Sequence, residues 1–179
     1  MQALFLPVVA LSFAVSPVVG QNFGGRRADR VRQSVYSAIG IASLMMLVLT
    51  LITFLAPGTL IRIFSRDPRV IAFGSEYLRI VSVNFVSVGV VFVTSSVFQG
   101  IGNTLPPLFS SMTRLVLFAL PAIYISRTPG FEIKHVWYLS VGSIILQMCV
   151  NLLLLRHELR KRLRFEEPEI FIPASATAS

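Results

Sequence analysis

Acid is what this sequence lacks most. Eight Asp and Glu stand against sixteen Lys and Arg, and charged residues of both signs make up only 13% of the 179-residue chain, about half the share of an ordinary soluble domain. Cysteine is scarcer: Cys149 alone, inside an apolar run, can form no intramolecular disulfide and no thiolate metal cluster. The two histidines, His135 and His157, stand at loop edges without a second histidine or carboxylate at ligand spacing, so no metal site is expected. There is no Ser-His-Asp order and no nucleophile elbow. "GIGNT" at Gly100–Thr104 lacks the third glycine of a dinucleotide fingerprint and runs into Pro106–Pro107, so it reads as a tight turn. Nothing here points to an enzyme or to a bound cofactor.

What is present is grease. Hydrophobic residues make up 54% of the chain, more than a soluble core of this length can hide, so the expected solvent is lipid. The net charge of +8 does not point to nucleic acid, because the basic residues form no single patch with interleaved aromatics. They sit in short segments between apolar runs, which is the membrane pattern.

Five apolar spans are expected, at about 2–20, 34–56, 77–98, 108–125 and 136–155, with a basic and then Pro/Ala/Ser-containing tail at 157–179. Each is near the ~20 residues a helix needs to cross ~30 Å of hydrocarbon. No strict alternation of the barrel type appears, so the spans read as helices. The first is not read as a signal peptide: it has no basic leading region, Pro7 and Pro17 lie within it, and a basic loop follows.

Strict alternation puts the first loop, the third loop and the tail on one side. Arg26, Arg27, Arg30, Arg32, Arg114 and the tail cations then give ten basic residues against six on the other side. The positive-inside rule predicts that the ten face the cytoplasm of a multi-pass protein in the cell (inner or plasma) membrane, with the C-terminus inside. In "VVGQNFGGRRADRVRQSV", Gly24–Gly25 are expected to end one helix and the arginines to hold the turn at the anionic face. Five spans with a cytoplasmic C-terminus leave Met1 outside with no basic segment before it, so a segment upstream is expected.

The loop motifs add a resemblance. Gly20-Gln21-Asn22 with Gly24 and Arg30, then Phe64, Asp67-Pro68, Val70 and Tyr77-Leu78-Arg79, then Gly100-x-Gly102-Asn103-Thr104 and Pro107 occur in the order and spacing of the multidrug and toxic compound extrusion (MATE) family. The chain resembles about helices eight to twelve of that family. The resemblance implies an all-α, twelve-helix, two-lobe transporter of which this chain is part of the C-terminal lobe. The seventh helix and the whole N-terminal lobe would then be absent partners. It also implies export of amphipathic, often cationic compounds in exchange for H⁺ or Na⁺ by rocking of the two lobes. Many members carry an arginine just before the proline of the eleventh helix. Here the segment reads "FALPAIY" and the arginine is Arg114, seven residues ahead of Pro121, which points to a subset of the family. Two alternatives stay open: a lipid-linked oligosaccharide flippase, and a freestanding membrane scaffold or modulator.

Polar residues inside the spans are the candidate site, since they are costly in lipid and face a bundle interior or a cavity. At ~100° per residue, Asn84, Ser87, Thr94 and Ser95 share one side of the third span, and Ser140, Ser143, Gln147 and Asn151 form a stripe on the fifth. Either stripe could be helix–helix glue or a cavity wall. The resemblance favours the third span for a substrate cavity, with Phe85 and Phe92 offering faces to a cation. Arg114, inside the fourth span, is a candidate for gating or for snorkelling. All eight acids (Asp29, Asp67, Glu76, Glu132, Glu158, Glu166, Glu167 and Glu169) lie at or outside span ends. The site for a coupling ion is therefore expected outside this chain.

Overall fold

The computed structural model describes residues 2–127 and 133–163. Among them every regular element is a helix. A 3-10 turn (Gln2–Phe5) leads into α1 (Leu6–Gly24), followed by α2 (Ala28–Leu55), the short α3 (Pro57–Arg62), α4 (Pro68–Ser82), α5 (Phe85–Gly100), α6 (Leu105–Ser126) and α7 (Ile133–Arg162). Prolines in the first turns of α1, α3, α4 and α6 occupy positions whose amides have no helical partner anyway. The Asp67 carboxylate caps α4 by accepting from the Arg69 amide at 2.8 Å. The first span therefore runs further than the hydropathy reading had it, through Gln21 and Asn22 to Gly24, and the fifth runs on to Arg162. The tail from residue 164, with Arg164, Glu166, Glu167 and Glu169, and Glu132 in the preceding loop lie outside the described residues.

Four helices, α1, α2, α6 and α7, are each long and apolar enough to cross a bilayer. The third expected span, 77–98, is instead part of a bent pair: α4 and α5 meet at Val83–Asn84 with a bend of 51°. At the bend, the Thr50 hydroxyl of α2 lies 3.0 Å from the Ser82 carbonyl and 2.8 Å from its own Met46 carbonyl. It meets one of the backbone acceptors that the bend takes out of the helical ladder.

Two turns close on the same hydrogen-bond pattern. After α1, the Arg26 amide donates to Phe23 O and the Arg27 amide to Asn22 O, each at 3.0 Å. After α5, the Gly102 amide donates to Gln99 O at 3.0 Å and the Asn103 amide to Phe98 O at 2.9 Å. Both are Schellman closures, which place one residue in the left-handed region. In the second turn that residue is Gly102 (φ 72°), but in the first it is Arg26 (φ 55°), not Gly24 or Gly25.

α5 is the central helix. It lies along α1 and α2 and also touches α7, whereas α6 rests on α7 and barely meets α5. A Cβ on Gly100 would come within 2.6 Å of the Ser16 carbonyl oxygen, and one on Gly89 within 2.7 Å of the Met46 side chain. The missing side chains let α5 approach both neighbours closely, as small residues do in membrane bundles. Val8, Val19, Val35, Met46, Val93 and Phe98 are fully buried at this junction.

The two ends of the bundle differ. At one, the α1–α2 turn, the "GIGNT" turn and the end of α7 converge. Asn103 donates to Glu158 at 2.7 Å, Glu158 pairs with Arg162, and Arg162 donates to the Ile101 carbonyl at 3.3 Å. At the other, Lys134 pairs with Glu76 at 2.6 Å, and Trp137 stacks edge-on against Phe73 and Tyr77. Cys149 is exposed on the outer face of α7.

Candidate functional site

Because α6 stands away from α5, a trough runs between them, walled on the other sides by α1 and α7. One part, of about 420 Å³, is lined by Ser95, Ser96 and Gln99 of α5, Ser111 and Arg114 of α6, and Gln147 of α7. A second part, of about 530 Å³, shares Val88, Phe92 and Ile144 with the first and reaches Asn84, Ser140 and Trp137. A third, of about 260 Å³, joins Arg114 to Ser140 along α6. The lining mixes hydroxyls, amides and aromatic rings, the surface an amphipathic molecule meets well.

The structure sorts the expected residues into two groups. Ser95, Asn84, Ser140, Gln147 and Arg114 line the trough. Ser87, Thr94, Ser143 and Asn151 are buried among the helices and line none of these three spaces. Thr94 donates to the Val90 carbonyl at 2.8 Å, and Asn151 of α7 reaches it at 3.4 Å. Ser143 donates to the Ser140 carbonyl at 2.9 Å. The α5 stripe is therefore glue on one edge and cavity wall on the other, whereas on α7 the lining Ser140 and Gln147 alternate with the buried Ser143 and Asn151. Of the two phenylalanines, Phe92 borders both larger spaces, while Phe85 borders only the second and is 0% exposed, in an edge-on contact with Phe5, 5.1 Å between centroids.

Ser12, Ser96, Gln99 and Ser111 also line the trough and were not among the expected residues. Gln99 continues the Ser95 edge of α5 one turn on, so the helical period carried a signal for it, and Ser96 sits next to Ser95. Ser12 and Ser111 sit on other helices, and only the packing brings them in. Gln147 donates to the Ser111 hydroxyl at 3.4 Å and ties α7 to α6 across the trough.

Two features are electrostatically costly. Asn84, at the bend, is 1% exposed, and among the described residues neither its amide nitrogen nor its amide oxygen has a partner, a desolvation penalty of about 1–3 kcal/mol. Arg114 lies nine residues into α6, which is about 14 Å along the axis. That is deeper than the fourth span read from hydropathy implied. It borders the trough, and among the described residues it makes no ion pair. None of the described acids lines the trough: Asp29 opens α2, Asp67 caps α4, Glu76 pairs with Lys134 and Glu158 with Arg162. Among the described residues no group of His, Cys, Asp and Glu could hold a metal ion.

The comparisons with known proteins agree with this architecture. The chain is 24% identical to a probable multidrug resistance protein NorM of Thermotoga maritima over 150 residues, covering 83% of this chain and 32% of that protein. It is 27% identical to a FAD transporter of Shewanella oneidensis over 118 residues, covering 66% of this chain and 26% of the relative. A probable NorM of Pasteurella multocida is 26% identical over 155 residues. The chain spans about a third of the length of the curated relatives it matches. The MatE family profile matches residues 1–125, the N-terminal part of this chain. With a helical membrane bundle and a profile match over more than half its length, this chain belongs to the MatE family of transporters.

Proposed function

We propose that the chain is part of a secondary active exporter, corresponding to about helices eight to twelve of a two-lobe transporter in the cell membrane, with its C-terminus in the cytoplasm. It moves amphipathic compounds against H⁺ or Na⁺, with the coupling site outside this chain. The observation that carries the reading is the trough along α5, where Ser95, Gln99, Ser111 and Gln147 meet Phe92 on one wall-to-wall surface. Rocking requires a second lobe to face that wall, and a gradient does work only through a site that binds the ion differently in two states. No described acid lines the trough, which supports placing the coupling site outside this chain.

A second reading of the substrate is favoured by Arg114. A fixed cation without a carboxylate partner repels a cationic drug and attracts an acidic or phosphate-bearing one. The FAD-transporting relative and the lipid-linked flippase alternative both fall on that side.

The test is efflux from cells stripped of their own pumps. The chain alone should export nothing after energisation. Grafted in place of the matching third of the Thermotoga maritima relative, it should export ethidium, or an anionic dye such as carboxyfluorescein if Arg114 sets the choice. Gradient-driven export by the chain alone would sink the two-lobe reading. A graft that reaches the membrane in normal amount yet exports neither dye would remove the exporter reading.

A further inference from the structure

Between α2 and α7, at the arginine-rich end of the bundle, lies a groove of about 660 Å³ that the transport reading does not use. Arg32 projects into it from α2 and Arg156 and Arg160 from α7, with Tyr36 at its rim. All three arginines are exposed, and none makes an ion pair or hydrogen bond among the described residues. Below them the groove turns apolar, with Ile39 and Leu152 along it and Val35 and Leu155 buried at its floor.

Depth along the helices gives this arrangement a meaning. Arg32 is four residues from the start of α2, and Arg156 and Arg160 are six and two from the end of α7. At 1.5 Å per residue all three lie within about 9 Å of the helix ends, at headgroup level. Ile39 and Leu152 lie about 15–17 Å in, at acyl-chain depth. Three guanidiniums with no acidic partner among the described residues converge above an apolar slot. A phosphodiester satisfies the fork geometry of arginine, an exposed Tyr36 suits the interface, and a free anion would leave the slot empty.

We propose that this groove binds one anionic phospholipid, its phosphate held by Arg32, Arg156 and Arg160 and an acyl chain laid along Ile39 and Leu152. Basic clefts between membrane helices recognise such headgroups by the same charge complementarity.

The experiment uses the full chain in detergent, titrated with dioctanoyl phosphatidylglycerol and read by native mass spectrometry. Saturable one-lipid binding is expected, with no comparable binding of dioctanoyl phosphatidylcholine. Arg32→Gln, Arg156→Gln and Arg160→Gln should each weaken it about fivefold. The triple variant Arg26→Gln/Arg27→Gln/Arg30→Gln removes three charges from the same end, three times what each groove variant removes, without touching the groove, and should leave binding within about twofold. Leu152→Trp, which fills the slot and keeps every charge, should also weaken binding. Equal losses in the groove set and the control triple would mean diffuse attraction and overturn the site. Displacement of the lipid by inorganic phosphate at equal concentration would make it a free-anion site and overturn the lipid. Binding seen only after removal of residues 164–179 would assign the groove to the chain's own acidic tail. None of these readouts depends on transport, so the proposal stands or falls apart from the exporter reading.

Discussion

The two sides of α5 are made of similar residues and behave differently. Toward α1 and α2, Gly89 and Gly100 remove side chains where the backbones cross, and Val93, Val97 and Phe98 are fully buried. Toward α6, Ser95 and Gln99 face a trough, and Ser110 is the only buried residue on α6. Both sides belong to one apolar helix. What differs is whether a neighbouring backbone can come close, and in lipid that closeness is most of the driving force between helices. The tight side is a scaffold, and the loose side is where a ligand could enter.

The sharpest way to break the comparison is to give the tight side bulk. Gly100→Leu must displace the Ser16 carbonyl and Val19, neither of which can swing away, and should destabilise the bundle by about 3 kcal/mol or more. Fluorescence-detected size exclusion should show the folded peak lost. Gly142→Ala on α7, where an added Cβ meets nothing within 4 Å, should be neutral or stabilising by up to about 1 kcal/mol. Equal tolerance at Gly100 and Gly142 would remove the claim that close approach holds α5.

Next come two serines of one helix. Ser87→Phe overpacks a buried position and should lower the melting temperature in detergent, at a cost of about 1–3 kcal/mol. Ser95→Phe borders the trough, so it should change stability by less than about 0.5 kcal/mol while reducing dye efflux by the graft. A reversed pattern would place the cavity on the other side of α5.

Asn84 tests whether the loose side tolerates a polar group only because of function. Asn84→Leu replaces two buried polar atoms that have no partner among the described residues with methyl groups, without adding a heavy atom, beside a space that can take their larger volume. It should raise stability by about 1–2 kcal/mol by thermal melt. A loss instead would show that Asn84 is bonded in the folded protein.

The smallest effect is at the turns. Arg26→Gly relieves a left-handed arginine and should stabilise by about 1 kcal/mol, whereas Gly102→Ala should cost about the same. Chemical denaturation of the two variants should move in opposite directions. Matching signs would mean that the turns are not held by the shared closure.

Some of this was legible early because it is local. Apolar length and the prolines and aspartate that open helices mark the spans, and the order of "GQNFGG", "SRDPRV" and "QGIGNT" carried the family resemblance that the profile match supports. The helical period likewise put Ser95 on a polar edge. It could not separate Ser95 from Ser87 and Thr94, because which part of an edge meets a neighbour depends on where that neighbour stands. The bend at Val83–Asn84 had no proline or glycine to announce it. The left-handed residue fell on Arg26 although two glycines precede it, because the closing hydrogen bonds fix which residue follows the last helical turn.

By itself, then, the sequence determined that this protein is a set of membrane helices with one strongly basic end, since apolar runs and charge asymmetry act residue by residue against water and lipid. Only the tertiary structure decided that α6 stands off from α5, that Arg114 faces a polar trough, and that Arg32 shares a groove with Arg156 and Arg160. Those facts join residues as far as 128 positions apart in the chain, and no local preference of either segment records the distance between them; the glycine crossings that draw α5 onto α1 and α2 set it.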